Sequence, residues 1–207
     1  MQLLKRLYNA PVTLSLIAVN TVVFCIMAIK GHDSWRGNAD DLLQWGANYW
    51  PLTGLQHQYW RLLTSMFLHA GLWHLFTNMV GLLIAGIFLE PILKGAKFSL
   101  AYVVTGLVAD YVSIWFHRDA VGVGASGAIF GVYGAFLALL TTPLFTRSAR
   151  APFLIFIGLF VCLNIIVACF TVGIDNIAHL TGFATGMLAG YLLYFTLSKA
   201  DASRLPN

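Results

Sequence analysis

Charge is what this chain has least of. Asp, Glu, Lys and Arg make up 10% of its 207 residues, where a soluble domain carries about a quarter. So few ions cannot cover a water-facing surface, which excludes an ordinary soluble enzyme or binding domain. Cysteine is also scarce. Cys25, Cys162 and Cys169 are the only three, each inside an apolar stretch, with no CxxC spacing. That argues against a zinc ribbon or a disulfide framework, and small buried hydrophobes are the expected role. The net charge of +4 comes with no basic face or nucleic-acid motif, so no nucleic-acid partner is expected. No linker, low-complexity tract or composition break divides the chain, and residues 1–207 read as one domain.

What is present is grease. Hydrophobic residues reach 59% and mean hydropathy is +0.78. Six stretches are long and apolar enough to cross a bilayer: about 11–29, 72–90, 97–116, 125–142, 152–172 and 177–196. The fold class expected is an all-α polytopic membrane protein, a bundle of six transmembrane helices set in the lipid bilayer. Lys5 and Arg6 before the first stretch resemble a signal peptide's opening. No small-residue cleavage site follows where one should be, so a retained helix is expected.

The cations set the orientation. Lys5, Arg6, Lys94, Lys97, Arg147, Arg150, Lys199 and Arg204 fall on one side of such a bundle, while Lys30, Arg36, Arg61 and Arg118 are spread over longer loops on the other. The positive-inside bias places both termini in the cytoplasm. The long segment of about residues 30–70 carries Trp35, Trp45, Tyr49, Trp50, Tyr59 and Trp60. Such rings favour the headgroup zone of the outer leaflet, where the segment is expected to fold back.

In this orientation the second, fourth and sixth stretches each begin outside with polar residues. These are His74 and Asn78, then Ser126, then Asp175, Asn176 and His179. Polar groups at one shallow depth are costly unless they pair or meet water, so their convergence marks a candidate site. On the sixth stretch His179, Gly182, Gly186 and Gly190 share a face, and Gly127, Gly131 and Gly134 make a similar strip on the fourth. Small residues let two helices approach closely and would bring Ser126 near His179. A serine hydroxyl attacks a carbonyl only when a base takes its proton, and histidine is the usual base. The anionic oxygen that forms needs donors, which His74, Asn78 and the free N–H groups opening a helix can supply. With no acid placed to complete a triad, a Ser–His dyad is expected. A metal site built on His69, His74 and His179 is the weaker alternative, since no HExxH accompanies them.

The motifs "GASG" at 124–127, "HLFTN" at 74–78 within "FLHAGLWHLFTNM", and "AHLTGFATG" at 178–186 resemble those of the rhomboid intramembrane serine proteases. "WR" at 60–61 is similar to that family's signature in its first loop. The resemblance covers about residues 45 to 195 and is closest to minimal six-helix bacterial members. It implies an endopeptidase, needing no cofactor, that cuts transmembrane protein substrates near the outer, periplasmic face of a bacterial inner membrane. It implies Ser126 as nucleophile, His179 as base, and His74, Asn78 and the Ser126 N–H as the oxyanion hole. Gly124, Phe130, Thr171 and Asp175 fall at substrate-binding or gating positions. Trp60, Arg61, Gly127, Gly182 and Gly186 fall at structural ones. Phe130 stands where a branch of the family has a tyrosine that stacks on the base. An inactive rhomboid-like protein that binds transmembrane helices is the alternative.

Three further polar residues carry expectations of their own. Asn20 and Asn164 should bond across helices. Asp110, inside the third stretch, needs a partner such as Arg118 or a loop donor.

Overall fold

The computed structural model describes residues 2–35, 37–170 and 173–197. Thr171, Arg36, Lys199 and Arg204 therefore lie outside the described residues. The elements are helical throughout: α1 (Gln2–Tyr8), α2 (Pro11–Ile29), α3 (Ala39–Gln44), α4 (Arg61–Thr64), α5 (Leu72–Phe116), α6 (Ser126–Thr141), α7 (Arg147–Phe170) and α8 (Asn176–Tyr194). Among the described residues there is no β-strand, only an isolated bridge between Asn48 and Gly122. The molecule is a helical membrane protein whose α2 and α5 are each long and apolar enough to cross a bilayer.

The 45 residues of α5 are not one rod. Lys94, just past Pro91, has φ 64° and ψ 157°, which no helix accommodates. On a straight helix Gly81 and Thr105 would be about 36 Å apart. Yet the Tyr133 hydroxyl donates to the Gly81 carbonyl at 3.1 Å, while Gly131, two residues earlier on α6, abuts Thr105. The chain must therefore double back at Lys94, so that the arms 72–93 and 95–116 both pack on α6.

Nearly every residue of α6 is buried, which makes it the central post. The outward faces of the other helices carry exposed large hydrophobics, among them Val19, Val22 and Ile26 on α2, Ile155, Leu159 and Leu163 on α7, and Leu180, Leu188 and Leu192 on α8. Glycine turns inward instead. A Cβ on Gly182 would run into the Gly127 carbonyl oxygen, and one on Gly186 into that of Gly131. Only hydrogen at these positions lets α6 and α8 touch backbone to backbone.

The structure corrects several sequence expectations. Cys25 and Cys162 are exposed on outward faces rather than buried, because in lipid the outside of a helix suits a thiol as well as the core does. Asn20 does reach across helices, its side chain hydrogen-bonding Tyr102 of α5, whereas Asn164 bonds within its own helix. The amides of both donate to carbonyls one turn back, those of Leu16 and Phe160. The α7 helix begins at Arg147, five residues before the apolar stretch. Its polar first turn is tied to the end of α6 by Arg150, which donates to the carbonyls of Thr142 and Phe145. The segment between α2 and α5 is built of short helical pieces: α3, α4, one π-turn (Pro51–Leu55) and one 3-10 turn (Ser65–Phe67). Arg61 cross-links it, donating to the carbonyls of Leu43 and Ala47 and to Gln58 Oε1, with its guanidinium over the Trp60 ring. Glu90 secures α2 by accepting from the N–H groups of Val12 and Thr13 and from the Thr13 hydroxyl.

Candidate active site

Ser126 is the first residue of α6. Ala125 before it offers no side-chain cap, so the opening N–H groups of the helix are left to other acceptors and carry the positive end of its dipole. The Ser126 side chain is half-buried and makes no hydrogen bond among the described residues. One turn later, Phe130 lies flat on the His179 imidazole, with ring centroids 4.3 Å apart and planes 7° from parallel. His179 itself is 8% exposed and sits in the first turn of α8, and its Nδ1 is buried without a partner among the described residues. The Gly127–Gly182 backbone contact, one residue after Ser126 and three after His179, fixes these two helix beginnings side by side.

The third contribution comes from α5. Gly124 has φ +125°, open to glycine and strained for other residues. A Cβ there would stand 2.8 Å from His74 Nε2 and 3.6 Å from Asn78 Nδ2. The loop leading into Ser126 thus lies directly against the imidazole of His74 and the amide of Asn78. The Asn78 amide nitrogen is buried with no hydrogen-bond partner among the described residues. His69 packs edge-on to His74 at 5.0 Å and is wholly buried. No group of three His, Cys, Asp or Glu side chains close enough to share a metal ion occurs among the described residues.

Asp175, read from the sequence as a gating residue, makes a set of contacts not foreseen there. It caps α8, accepting from the Ala178 N–H at 2.8 Å, and also accepts from the Ser113 hydroxyl. Its position three residues before Ala178, at the start of an apolar run, was a readable N-cap signal. A cavity of about 160 Å³ opens beside His179, lined by Phe130, Val161, Asn176, Leu180 and Phe183. Val161 went unread in the sequence, since an apolar residue in an apolar helix gives no signal.

A serine, two histidines and an asparagine thus come from three helices to one end of the central post of a helical membrane protein. Residues 56–195 match the Rhomboid domain family, and the chain belongs to the rhomboid family. It is similar to RHOMBOID-like protein 2 of Arabidopsis thaliana, at 35% identity over 82% of this chain and 53% of the relative. It is also similar to Inactive RHOMBOID-like protein 8 of that plant, at 30% identity over 83% of this chain and 49% of the relative. Rhomboid protease GluP of Bacillus subtilis (strain 168) matches at 31% identity over 91% of this chain and 36% of its own. The chain spans about half or less of these relatives' lengths.

Proposed function

We propose that this protein is an intramembrane serine endopeptidase that cleaves other membrane proteins in or near their transmembrane segments. The observation that supports the reading is the Gly127–Gly182 backbone contact, which sets the uncapped α6 start carrying Ser126 beside the α8 start carrying His179, itself stacked on Phe130. His179 takes the Ser126 proton as the hydroxyl attacks the scissile carbonyl, and returns it to the leaving amine. The oxyanion is held by the Ser126 N–H, His74 and the unpartnered Asn78 amide, with Gly124 leaving room for the substrate backbone. Water then hydrolyses the acyl-enzyme by the same route. A substrate helix hides its carbonyls in its own hydrogen bonds, so it must unwind locally before it can be cut.

The same proposal includes a single domain of six membrane crossings, cytoplasmic termini and a site opening to the extracytoplasmic side of the cell membrane. The arms 72–93 and 95–116 are two of those crossings. Substrate would enter past α7 and the segment after it, where Thr171 and Asp175 were read as gating positions. The named relative that is inactive favours one competing reading, a non-proteolytic binder of transmembrane helices.

A fluorophosphonate probe and a single-pass substrate protein separate the two. Wild type should be labelled and should cut the substrate, while Ser126→Ala loses both. His179→Ala should slow cleavage by at least about a thousandfold. Equal labelling of wild type and Ser126→Ala refutes the nucleophile, and a folded wild type that neither labels nor cuts supports the binder.

A further inference from the structure

Two polar residues near the outer end of α5, Asp110 and Ser113, have no part in the chemistry above. They are three residues apart and share one helix face. Each reaches a different half of the candidate site.

Asp110 holds the approach to Ser126. Its carboxylate accepts from the Ser65 hydroxyl at 2.7 Å, and its backbone carbonyl accepts from the Asn48 amide at 3.0 Å. Both partners are buried, Ser65 at 0% and Asn48 at 2% exposure. Each in turn grips the loop before α6. The Ser65 carbonyl takes the Gly124 N–H at 2.9 Å, and Asn48 and Gly122 exchange backbone hydrogen bonds at 3.0 and 2.8 Å. Residues 122–124 are thus fixed through two chains of hydrogen bonds that both end on Asp110. It is this loop that lies against His74 and Asn78.

Ser113 holds the other half. Its hydroxyl donates to Asp175 Oδ2. Asp175 Oδ1 accepts the Ala178 N–H, and the Asp175 carbonyl accepts the His179 N–H at 3.1 Å. His117, one turn further along α5, adds a contact of 3.6 Å from its Nε2 to Asp175 Oδ1. The first turn of α8, which carries His179, is therefore pinned to the same end of α5.

We infer that Asp110 and Ser113 are positioning residues, and that the outer end of α5 serves as a template aligning the nucleophile's loop with the base's helix. The inference rests on the protease reading of the site. Neither residue touches substrate; each acts through Ser65, Asn48 or Asp175. A small displacement of reacting groups costs far more in rate than in fold stability, which separates this role from a merely structural one.

The test uses the full chain in nanodiscs, with two readouts. One is the rate of Ser126 labelling by fluorophosphonate. The other is amide hydrogen exchange in two peptides, one covering residues 122–125 and one covering 176–180. Ser113→Ala should raise exchange in the second peptide alone, Asp110→Ala in the first alone, and each should slow labelling on the order of 10-fold. Asp110→Asn, which keeps an acceptor for Ser65, should recover most of the rate. If Asp110→Ala does not fold, Ser65→Ala removes the same hydrogen bond from the other side. Exchange in both peptides indistinguishable from wild type overturns the inference, as does a drop in thermal stability with unchanged labelling of the folded protein. If wild type itself does not label, the protease reading fails, and the exchange pattern alone decides whether α5 holds the two segments as described.

Discussion

His69 and His74 lie five residues apart and meet edge to edge, yet only His74 touches the candidate site. His69 lies in the loop before α5, fully buried, with a contact to the Phe67 backbone that only partly offsets its burial. Burial, with His74 beside it, holds the His69 pKa down to about 3 from an ordinary 6.5. The sign of the linkage follows. Above pH 6.5 both folded and unfolded chains carry it neutral. Below that, the unfolded chain takes a proton that the folded one refuses, so stability falls with pH until about pH 3. His69→Leu should remove that dependence. Its unfolding midpoint should change less than wild type's between pH 6.5 and 4, by up to roughly 1.4 kcal/mol per pH unit. Parallel curves for the two proteins rule out His69 as the acid-sensitive group. Phe130 acts on its neighbour differently. Its flat stack on His179 limits how the imidazole can turn, and such a pair contributes about 0.5–1.5 kcal/mol beyond the area it buries.

Between elements, glycine does the positioning that apolar side chains do in a soluble core. Gly182 and Gly186 meet backbone carbonyl oxygens of α6, which cannot swing aside as a side chain would. Gly182→Ala should therefore push α8 off α6 and shift His179 from Ser126. Gly158 on α7 is the control, since a Cβ there meets nothing within 4 Å. Gly158→Ala should keep full activity and gain up to about 1 kcal/mol from helix propensity, while Gly182→Ala should lose stability and at least about 100-fold in cleavage rate. Matching effects at the two positions would show that backbone contact is not what Gly182 provides. These strips were legible in the sequence because small residues at helical spacing have one physical use. The helices themselves were legible because their apolar runs are long. The Lys94 reversal was legible as the break between the stretches 72–90 and 97–116, whereas the short helices of residues 39–67 and the start of α7 were not, because polar contacts outside the apolar runs set them. Arg150 holds the Thr142 carbonyl eight residues back, and Arg61 reaches the Leu43 carbonyl across the loop, contacts that no apolar periodicity announces. Of the candidate site, the polar residues stood out against an apolar background. The Asp110 and Ser113 connections did not, since which loop a helix end meets is not written in its own spacing.

At the scale of the whole molecule, the distribution of polarity differs from a soluble protein's. Large apolar groups such as Phe98, Phe136 and Leu89 fill the core, but others, such as Leu159, Leu188 and Leu192, face out as well, and polar groups inside, such as Ser65 and Asp110, pair with one another. Glu90 accepts the first N–H groups of α2 at one end of α5's first arm, and His74 and Asn78 lie near the other. A bilayer fits such a molecule in two orientations, and only the loop cations choose between them. The proposed orientation has Arg147 and Arg150 in the cytoplasm and Asp119 outside. Single cysteines at exposed loop positions read this directly. The native thiols at Cys25 and Cys162 lie on outward faces of α2 and α7, where the proposed bilayer would shield them from water. In a background lacking all three native cysteines, Asp119→Cys should react with a membrane-impermeant maleimide in intact cells. Ser148→Cys should react only after the membrane is opened. The opposite pattern would invert the bundle and move the candidate site to the cytoplasmic face. Substrates would then have to be cut from inside the cell, although the proposed chemistry at Ser126 and His179 would stand unchanged.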